Sequence, residues 1–371
     1  IIYFYYICLY IQYIMDLLNI FIYIVIFSIL FYVFSKLYNA RKIETVQVTE
    51  NMVGYINNQE FNNITSNSNL PSLNTLTSIE KKYAQLPLKE YCIKASYNSA
   101  TTGKSINKNM IKYVLSRGCR FIDFEVFYSN INDNYKAVVA ESSDPDFKVF
   151  DTDNHIDLED CFTTIITNGF SNTSPNKTDP LFVHLRIKTK DTNCYAAVAK
   201  AVDSILKPKL FEGQVTKETK LSETMGKIIL VIDKTIHRDY KEYAKCKASD
   251  VNCYDLANYL NLESGSQDFN LLGLMQIENQ PPNYIQIKDD NISTNVVSTK
   301  VVLPLSKSNN NPNIQKLILT YGAQIIAYRY NVIDENLIDS EIFFNDSRGG
   351  IAPLAAALVY FRNVQREQKG L

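Results

Sequence analysis

The sequence predicts an α/β fold, a TIM-type (β/α) barrel, behind a single N-terminal membrane-spanning helix. Three observations predict it. From Tyr91 onward, short strand-type runs alternate with helix-patterned runs, which argues for parallel strands joined by helical crossovers. The stretch from Leu86 onward is long enough to close a barrel, which needs about 250 residues. Before it, Leu17 to Ser35 is almost unbroken Leu, Ile, Phe, Val and Tyr, with only Asn19 and Ser28 polar inside it.

At about 1.5 Å rise per residue, that apolar run spans a hydrocarbon core of about 30 Å. It has no amphipathic face. It is too long for a cleaved leader, and no small-x-small site follows. A retained single-pass anchor is the expectation, with Met15 as the expected start. Lys36, Arg41 and Lys42 follow the run and only Asp16 precedes it, so the positive-inside rule places the C-terminal bulk in the cytoplasm. The expected division is 1–42 for the hydrophobic N-terminus and anchor, 43–85 for a polar linker, 86–365 for the barrel and 366–371 for a polar tail. Lys+Arg 38 against Asp+Glu 39 implies no polybasic surface, which argues against nucleic acid as a partner. Seven cysteines without a CxxC pair argue against zinc and fit scattered reduced thiols. Heavy use of Ile and Asn fits an AT-rich coding sequence such as a virus or protist carries, which makes a virion membrane one setting for the anchor.

Along the chain, Tyr91 to Ala95 reads as a strand and Ser96 to Ser105 as a polar loop. Ile106 to Leu115 is a helix, with Met110, Ile111, Val114 and Leu115 at helical spacing, Asn107 as cap and Gly118 as stop. Phe121 to Phe127 alternates: Ile122, Phe124 and Val126 face one way, Asp123 and Glu125 the other. Two carboxylates on the inner face of a buried strand require a partner, because unpaired buried charge is expensive. Asn130 to Tyr135 reads as a turn, Ala137 to Glu141 as a short strand and Leu158 to Thr167 as a helix. Leu181 to Lys188 alternates again, with Phe182, His184, Arg186 and Lys188 on one face. Tyr195 to Leu206 is a helix, Gly226 to Ile232 a strand, and Tyr240 to Leu262 mostly helical. Val301 to Leu303 and Ile325 to Tyr330 are strands, Ile314 to Tyr321 is a helix, and Ile351 to Phe361 is a final apolar run. Gly103-Lys104-Ser105 imitates the tail of a P-loop, but Asn98 stands where that motif needs its first glycine. Asp144, Asp146, Asp151 and Asp153 lack EF-hand spacing and read as a solvated acidic loop.

The order of Ser-x-Asn-Ser at a strand end, Thr-Gly, a helix, Arg117-Gly118-Cys119-Arg120 and an acidic strand resembles the X region of phosphatidylinositol-specific phospholipase C. The Gly-Lys-Ile-Ile-Leu run at 226–230, the Asn309-Asn-Asn-Pro turn and the run from Tyr321 to Asn331 continue the resemblance. It implies a distorted barrel that cleaves a phosphodiester with two histidines, and a calcium ion held by an asparagine and three carboxylates. Carried over position by position, Tyr97 stands for the first histidine and Glu141 for the second. Asn98, Asp123 and Glu125 keep metal positions, while Arg186 replaces the third carboxylate. Ile232 replaces one phosphate-holding lysine and Lys234 keeps the other. Val301 and Leu303 stand where an arginine and a tyrosine grip the headgroup. His184 is the remaining strand histidine that can point inward. A tyrosine with an ordinary pKa of about 10 is no acid–base catalyst near neutrality. The resemblance therefore implies a pseudoenzyme: a binding or structural module at a membrane, with no cofactor and a phosphoinositide or other phosphate-bearing ligand. The alternatives are an active phosphoric diester hydrolase remodelled around Glu141, Asp123, Glu125 and His184, with calcium as its cofactor, and a scaffold with no ligand site. Arg186 is expected to bridge Asp123 or Glu125 as a side-chain substitute for the cation.

Overall fold

A computed structural model of the chain describes residues 15, 25–36, 58–72, 75–131, 134–245, 254–304 and 310–370. The chain forms two units, Ile1–Ile56 and Asn57–Leu371. In the first, residues 25–36 are helical. The expected membrane span from Leu17 to Ser35 lies partly outside the described residues, as does the expected linker as far as residue 57. Among the described residues, no helix is long and apolar enough to cross a membrane.

Among the described residues, the second unit has eleven strands: β1 (Tyr91–Ser96), β2 (Phe121–Ile131), β3 (Asn134–Ala140), β4 (Ile156–Asp157), β5 (Leu181–Ile187), β6 (Ile228–Asp233), β7 (Leu262–Ser264), β8 (Phe269–Gly273), β9 (Thr299–Leu303), β10 (Ile325–Tyr328) and β11 (Ile351–Pro353). Eight of them follow the order β7-β6-β5-β2-β1-β10-β9-β8, with parallel ladders throughout, and form a nearly closed barrel. No ladder joins β7 to β8. The tight turn between them closes with the Gly265 N–H donating to the Phe269 carbonyl at 2.9 Å. Gly265 has φ +82, and a Cβ there would lie 2.4 Å from Thr235 Cγ2. The helices are α1 (residues 58–65), α2 (Lys108–Ser116), α3 (Leu158–Gly169), α4 (Thr192–Ala201), α5 (Tyr240–Ala244), α6 (Leu274–Glu278), α7 (Ile314–Tyr321), α8 (Glu335–Asp346) and α9 (Leu354–Gln368).

Both faces of the barrel strands are buried, so β5 and β6 are apolar almost throughout. Outward side chains such as Ile122, Phe124 and Val183 pack under the helices. Inward ones fill the barrel, with Phe121, Phe182 and Phe269 stacked in series at 6.4 Å. The polar inward residues therefore lie further along each strand, towards its C-terminal end.

Several elements differ from expectation. Among the described residues of the segment from Tyr240 to Leu262, helix is confined to α5 and a single turn at Leu256–Asn258, residues 246–253 lie outside the described residues, and Leu262 opens barrel strand β7. Strands this short carry no readable period, and pairing with β6 decides their state. β2 continues past Phe127 to Ile131 and pairs with β3 as a long hairpin, so Asn130, Ile131, Asn134 and Tyr135 of the expected turn are paired strand residues. The final apolar run divides into β11, antiparallel to β1, and α9. Part of the expected linker is also packed. Ile64, Leu70, Leu76 and Ala84 are buried, Phe61 meets Tyr113 edge-on, and Thr77 bridges to Gly349.

Arg117-Gly118-Cys119-Arg120 proves to be a fastening. Arg117 Nε donates to Glu341 Oε2 at 2.9 Å, and its Nη2 to the Pro71 carbonyl at 3.0 Å. Gly118 leaves α2 at φ +83, with Leu76 at 3.2 Å from any Cβ. Cys119 Sγ lies 3.1 Å from Tyr330 Oη. Arg120 is buried, donating to the Gly169 carbonyl at 2.9 Å, to Asn176 Oδ1 at 2.6 Å and to Ser174.

Candidate functional site

The register of β2 against β5 sets Asp123 beside His184 and Glu125 beside Arg186. Alternation turns all four into the barrel, where each is buried. Arg186 is the hub. Its Nε and Nη2 grip Asp123 Oδ1 and Oδ2 at 2.9 and 2.7 Å, a bidentate clamp. Its Nη1 donates to Glu125 Oε1 at 2.6 Å, and Nη2 also reaches Asn98 Oδ1 at 2.6 Å. Asn98 follows β1 with φ 41, a left-handed conformation that asparagine tolerates, and its N–H donates to Asp123 Oδ2 at 3.1 Å. The Ser142 N–H donates to Glu125 Oε2 at 2.9 Å, and Lys188 Nζ lies 3.5 Å from Glu125 Oε1. The side-chain oxygens of Asp123, Glu125 and Asn98 are thus turned onto a guanidinium.

Beneath this layer His184 is enclosed. Nδ1 lies 2.7 Å from Asp123 Oδ1 and Nε2 lies 2.7 Å from Ser264 Oγ. Above it, the Tyr97 ring lies against two guanidinia, with Arg186 Cζ at 4.6 Å and Arg329 Cζ at 5.4 Å from its centroid. Burial alone would lift the Asp123 carboxyl, but Arg186 and His184 outweigh it and hold that carboxyl well below the usual carboxylate range. Burial pushes the Tyr97 phenol up to about 12, against the pull of Arg186. Glu141 is raised, by burial first and by the Glu125 charge second, with Arg329 and Arg186 opposing.

A cleft of about 940 Å³ opens over these residues. Tyr97, Asn98, Glu125, Glu141 and Arg186 line it, and Asp123 and His184 lie below its floor. Lys234 is placed apart, 3.3 Å from Glu263, which Lys241 and the Tyr240 hydroxyl also hold. Val301 and Leu303 are apolar filling inside the barrel. Three cationic lining residues, Arg329, Lys188 and Lys104, were absent from the expected site. A signal existed for two of them. Arg329 continues the inward alternation of Ile325 and Ala327, and Lys188 shares a face with Arg186.

Residues 84–234 match the family described as phosphatidylinositol-specific phospholipase C, X domain. Among solved structures, the crystal structure of L. pealei PLC21 is similar at 12% identity and a TM-score of 0.51, over 73% of this chain and 37% of that one. PLC21 of S. officinalis follows at 13% identity and a TM-score of 0.49, over 73% of this chain and 37% of that chain. A calcium-dependent phosphoinositol-specific phospholipase C from the Gram-negative bacterium Pseudomonas sp is similar at 12% identity and a TM-score of 0.41, over 76% and 99% of the two chains. This chain thus spans little more than a third of L. pealei PLC21. No curated protein matches it. Residues 84–234 thus match the X domain of phosphatidylinositol-specific phospholipase C, with the acidic strand and the Arg-Gly-Cys-Arg fastening inside the matched stretch, and the barrel shares the fold of L. pealei PLC21.

Proposed function

We propose that this phospholipase C-like protein has given up phosphodiester cleavage and serves as a binding module for a phosphate-bearing ligand at a membrane. The observation that carries the reading is the bidentate clamp of Arg186 on Asp123, extended to Glu125 and Asn98. Calcium wants six to eight oxygens at about 2.3–2.6 Å. Here Asp123, Glu125 and Asn98 face a fixed positive group instead, and that group, Arg186, stands where the resemblance puts the third carboxylate. The residues do not fit the ion while the guanidinium stands among them.

The acid–base pair is missing as well. Tyr97 stays protonated at neutral pH, and Glu141 alone does not rebuild a pair. Losing one such group costs about 10²–10⁴-fold in rate. The purified protein is therefore expected to release no inositol phosphate from phosphatidylinositol vesicles, with or without calcium. Release that Glu141→Gln abolishes would establish a remodelled enzyme instead. The apolar run from Leu17 to Ser35, with residues 25–36 helical, supports membrane attachment, and Lys36, Arg41 and Lys42 support a cytoplasmic barrel. The full chain is expected to stay with membranes through alkaline carbonate extraction, and its recovery in the supernatant would refute the anchor.

A further inference from the structure

One wall of the cleft is braced from outside by a helix too short to stand alone. Loop 101–106 supplies Thr101, Gly103 and Lys104 to the cleft. The Thr101–Ile106 bridge closes it, as does the Thr102 N–H on the Ser105 carbonyl at 2.8 Å. On one side it is tied to the loop after β3. The Asp153 N–H donates to the Lys104 carbonyl at 2.7 Å, and Asn154 Oδ1 accepts from the Ile106 N–H at 2.7 Å. On the other side stands α1. Glu60 Oε2 accepts from Thr102 Oγ1 at 2.9 Å, and Glu60 Oε1 lies 4.0 Å from the place a Cβ on Gly103 would take. Residues 58, 59, 62, 63 and 65 of α1 are exposed. Only Glu60, Phe61 and Ile64 turn inward, with Phe61 edge-on to Tyr113 at 6.4 Å and Ile64 in the core. An isolated helix shorter than about 12 residues is marginal in water, so the order of α1 comes from its docking.

We propose that α1 is a detachable clamp on the cleft wall, so that docking of α1 and ordering of loop 101–106 are one coupled equilibrium. The coupling concerns the wall and not the ligand, and it is independent of the binding reading. Two features make the clamp reversible. The Thr102 hydroxyl has one proton and two acceptors in reach, Glu60 Oε2 at 2.9 Å and the Ser105 carbonyl at 3.0 Å. With α1 docked, the carboxylate is the stronger acceptor. With α1 lifted, the Ser105 carbonyl takes the proton, and no buried donor is stranded. The chain after α1 is also pinned independently. Arg117 holds the Pro71 carbonyl, Thr75 Oγ1 donates to the Asn345 carbonyl at 3.1 Å, and the Ile79 N–H donates to Asp179 Oδ1 at 2.9 Å. Release of α1 therefore leaves the rest of this segment in place. Local openings of this kind, with few buried apolar contacts at stake, lie at the low end of the opening free energies within one fold.

Amide hydrogen exchange of the detergent-solubilised full chain, read by mass spectrometry, tests the coupling. Phe61→Ala removes a docking contact on α2 and leaves Glu60 and Thr102 in place. The amides of α1 and of loop 101–106 are expected to exchange about tenfold faster in this variant, by a common factor, while β5 and β6 keep their rates. Glu60→Ala is expected to speed the same two segments. Glu60→Gln, which keeps an acceptor oxygen, is expected to return most of the protection that Glu60→Ala removes. Faster exchange in α1 with loop 101–106 unchanged would overturn the coupling, because the wall would then stand without the helix. A rise that includes β5 and β6 would also overturn it, since Phe61 would then be part of the global core. No change in either segment with both alanine variants would show that these side chains do not dock α1, and would overturn the clamp.

Discussion

Arg186→Ala is expected to destabilise the barrel by about 3–5 kcal/mol, the usual cost of stranding one side of a buried ion pair. The lower urea midpoint would read it directly. Asp123 is fully buried and loses both bonds of its clamp, and Glu125 loses its shortest contact. The acid limb should change too. Asp123 is depressed in the folded state, so its contribution is fully present above the unfolded value of about 3.9 and is lost as pH falls through the folded one. Without Arg186 that contribution shrinks, and the variant's stability should depend less on pH below about 4. The variant also tests the idea of cation replacement. With the guanidinium gone, the oxygens of Asp123, Glu125 and Asn98 face one space, and calcium should raise the melting temperature of Arg186→Ala but not of the unmodified chain. An alanine variant as stable as its parent would mean that the clamp holds nothing.

The inward faces of β2 and β5 are legible in the sequence alone, because a period of two assigns every side chain to a face once the strand is recognised. That reading is enough to bring Asp123, Glu125, His184 and Arg186 into one barrel. Distances and partners are another matter. Nothing in the sequence joins His184 to Ser264, because β7 has only three residues and carries no pattern of its own. Nor does local sequence separate Lys234 from the site, since its partner Glu263 comes from that same strand. Arg329 had a signal in the inward alternation of β10, but it lies one residue past the strand's last residue, where alternation is easily taken to stop. The packed part of the linker was hidden for a compositional reason. Phe61, Ile64, Leu70 and Leu76 are scattered among Asn, Ser and Thr, without a period of 2 or 3.6.

Glu341→Ala is expected to cost about as much as the loss of Arg186, roughly 3–5 kcal/mol, although Glu341 lies in α8 and not in the cleft. Its carboxylate is fully buried. It meets Lys94 Nζ at 2.7 Å, accepts from the Tyr330 hydroxyl at 2.6 Å and holds Arg117. Lys94 is itself 1% exposed, and its ammonium also donates to the Arg117 carbonyl at 2.7 Å and lies over the Phe344 ring, 5.8 Å from its centroid. Burial would raise the Glu341 carboxyl, but Lys94 and Arg117 outweigh it and keep it low. Its stabilising effect is therefore complete above the ordinary glutamate value of about 4.3 and is lost as pH falls through the folded one. Truncation leaves an ammonium with no way to reach water. Arg117, at 11% side-chain exposure, still has the Pro71 carbonyl. If stranded charge is the cause, adding Lys94→Met to Glu341→Leu should recover about half of the loss or more, since a buried pair exchanged whole for apolar groups is often nearly neutral. Chemical denaturation of the single and double variants decides it. A double variant no better than Glu341→Leu alone would place the cost in packing around α8 instead of in the ion pair.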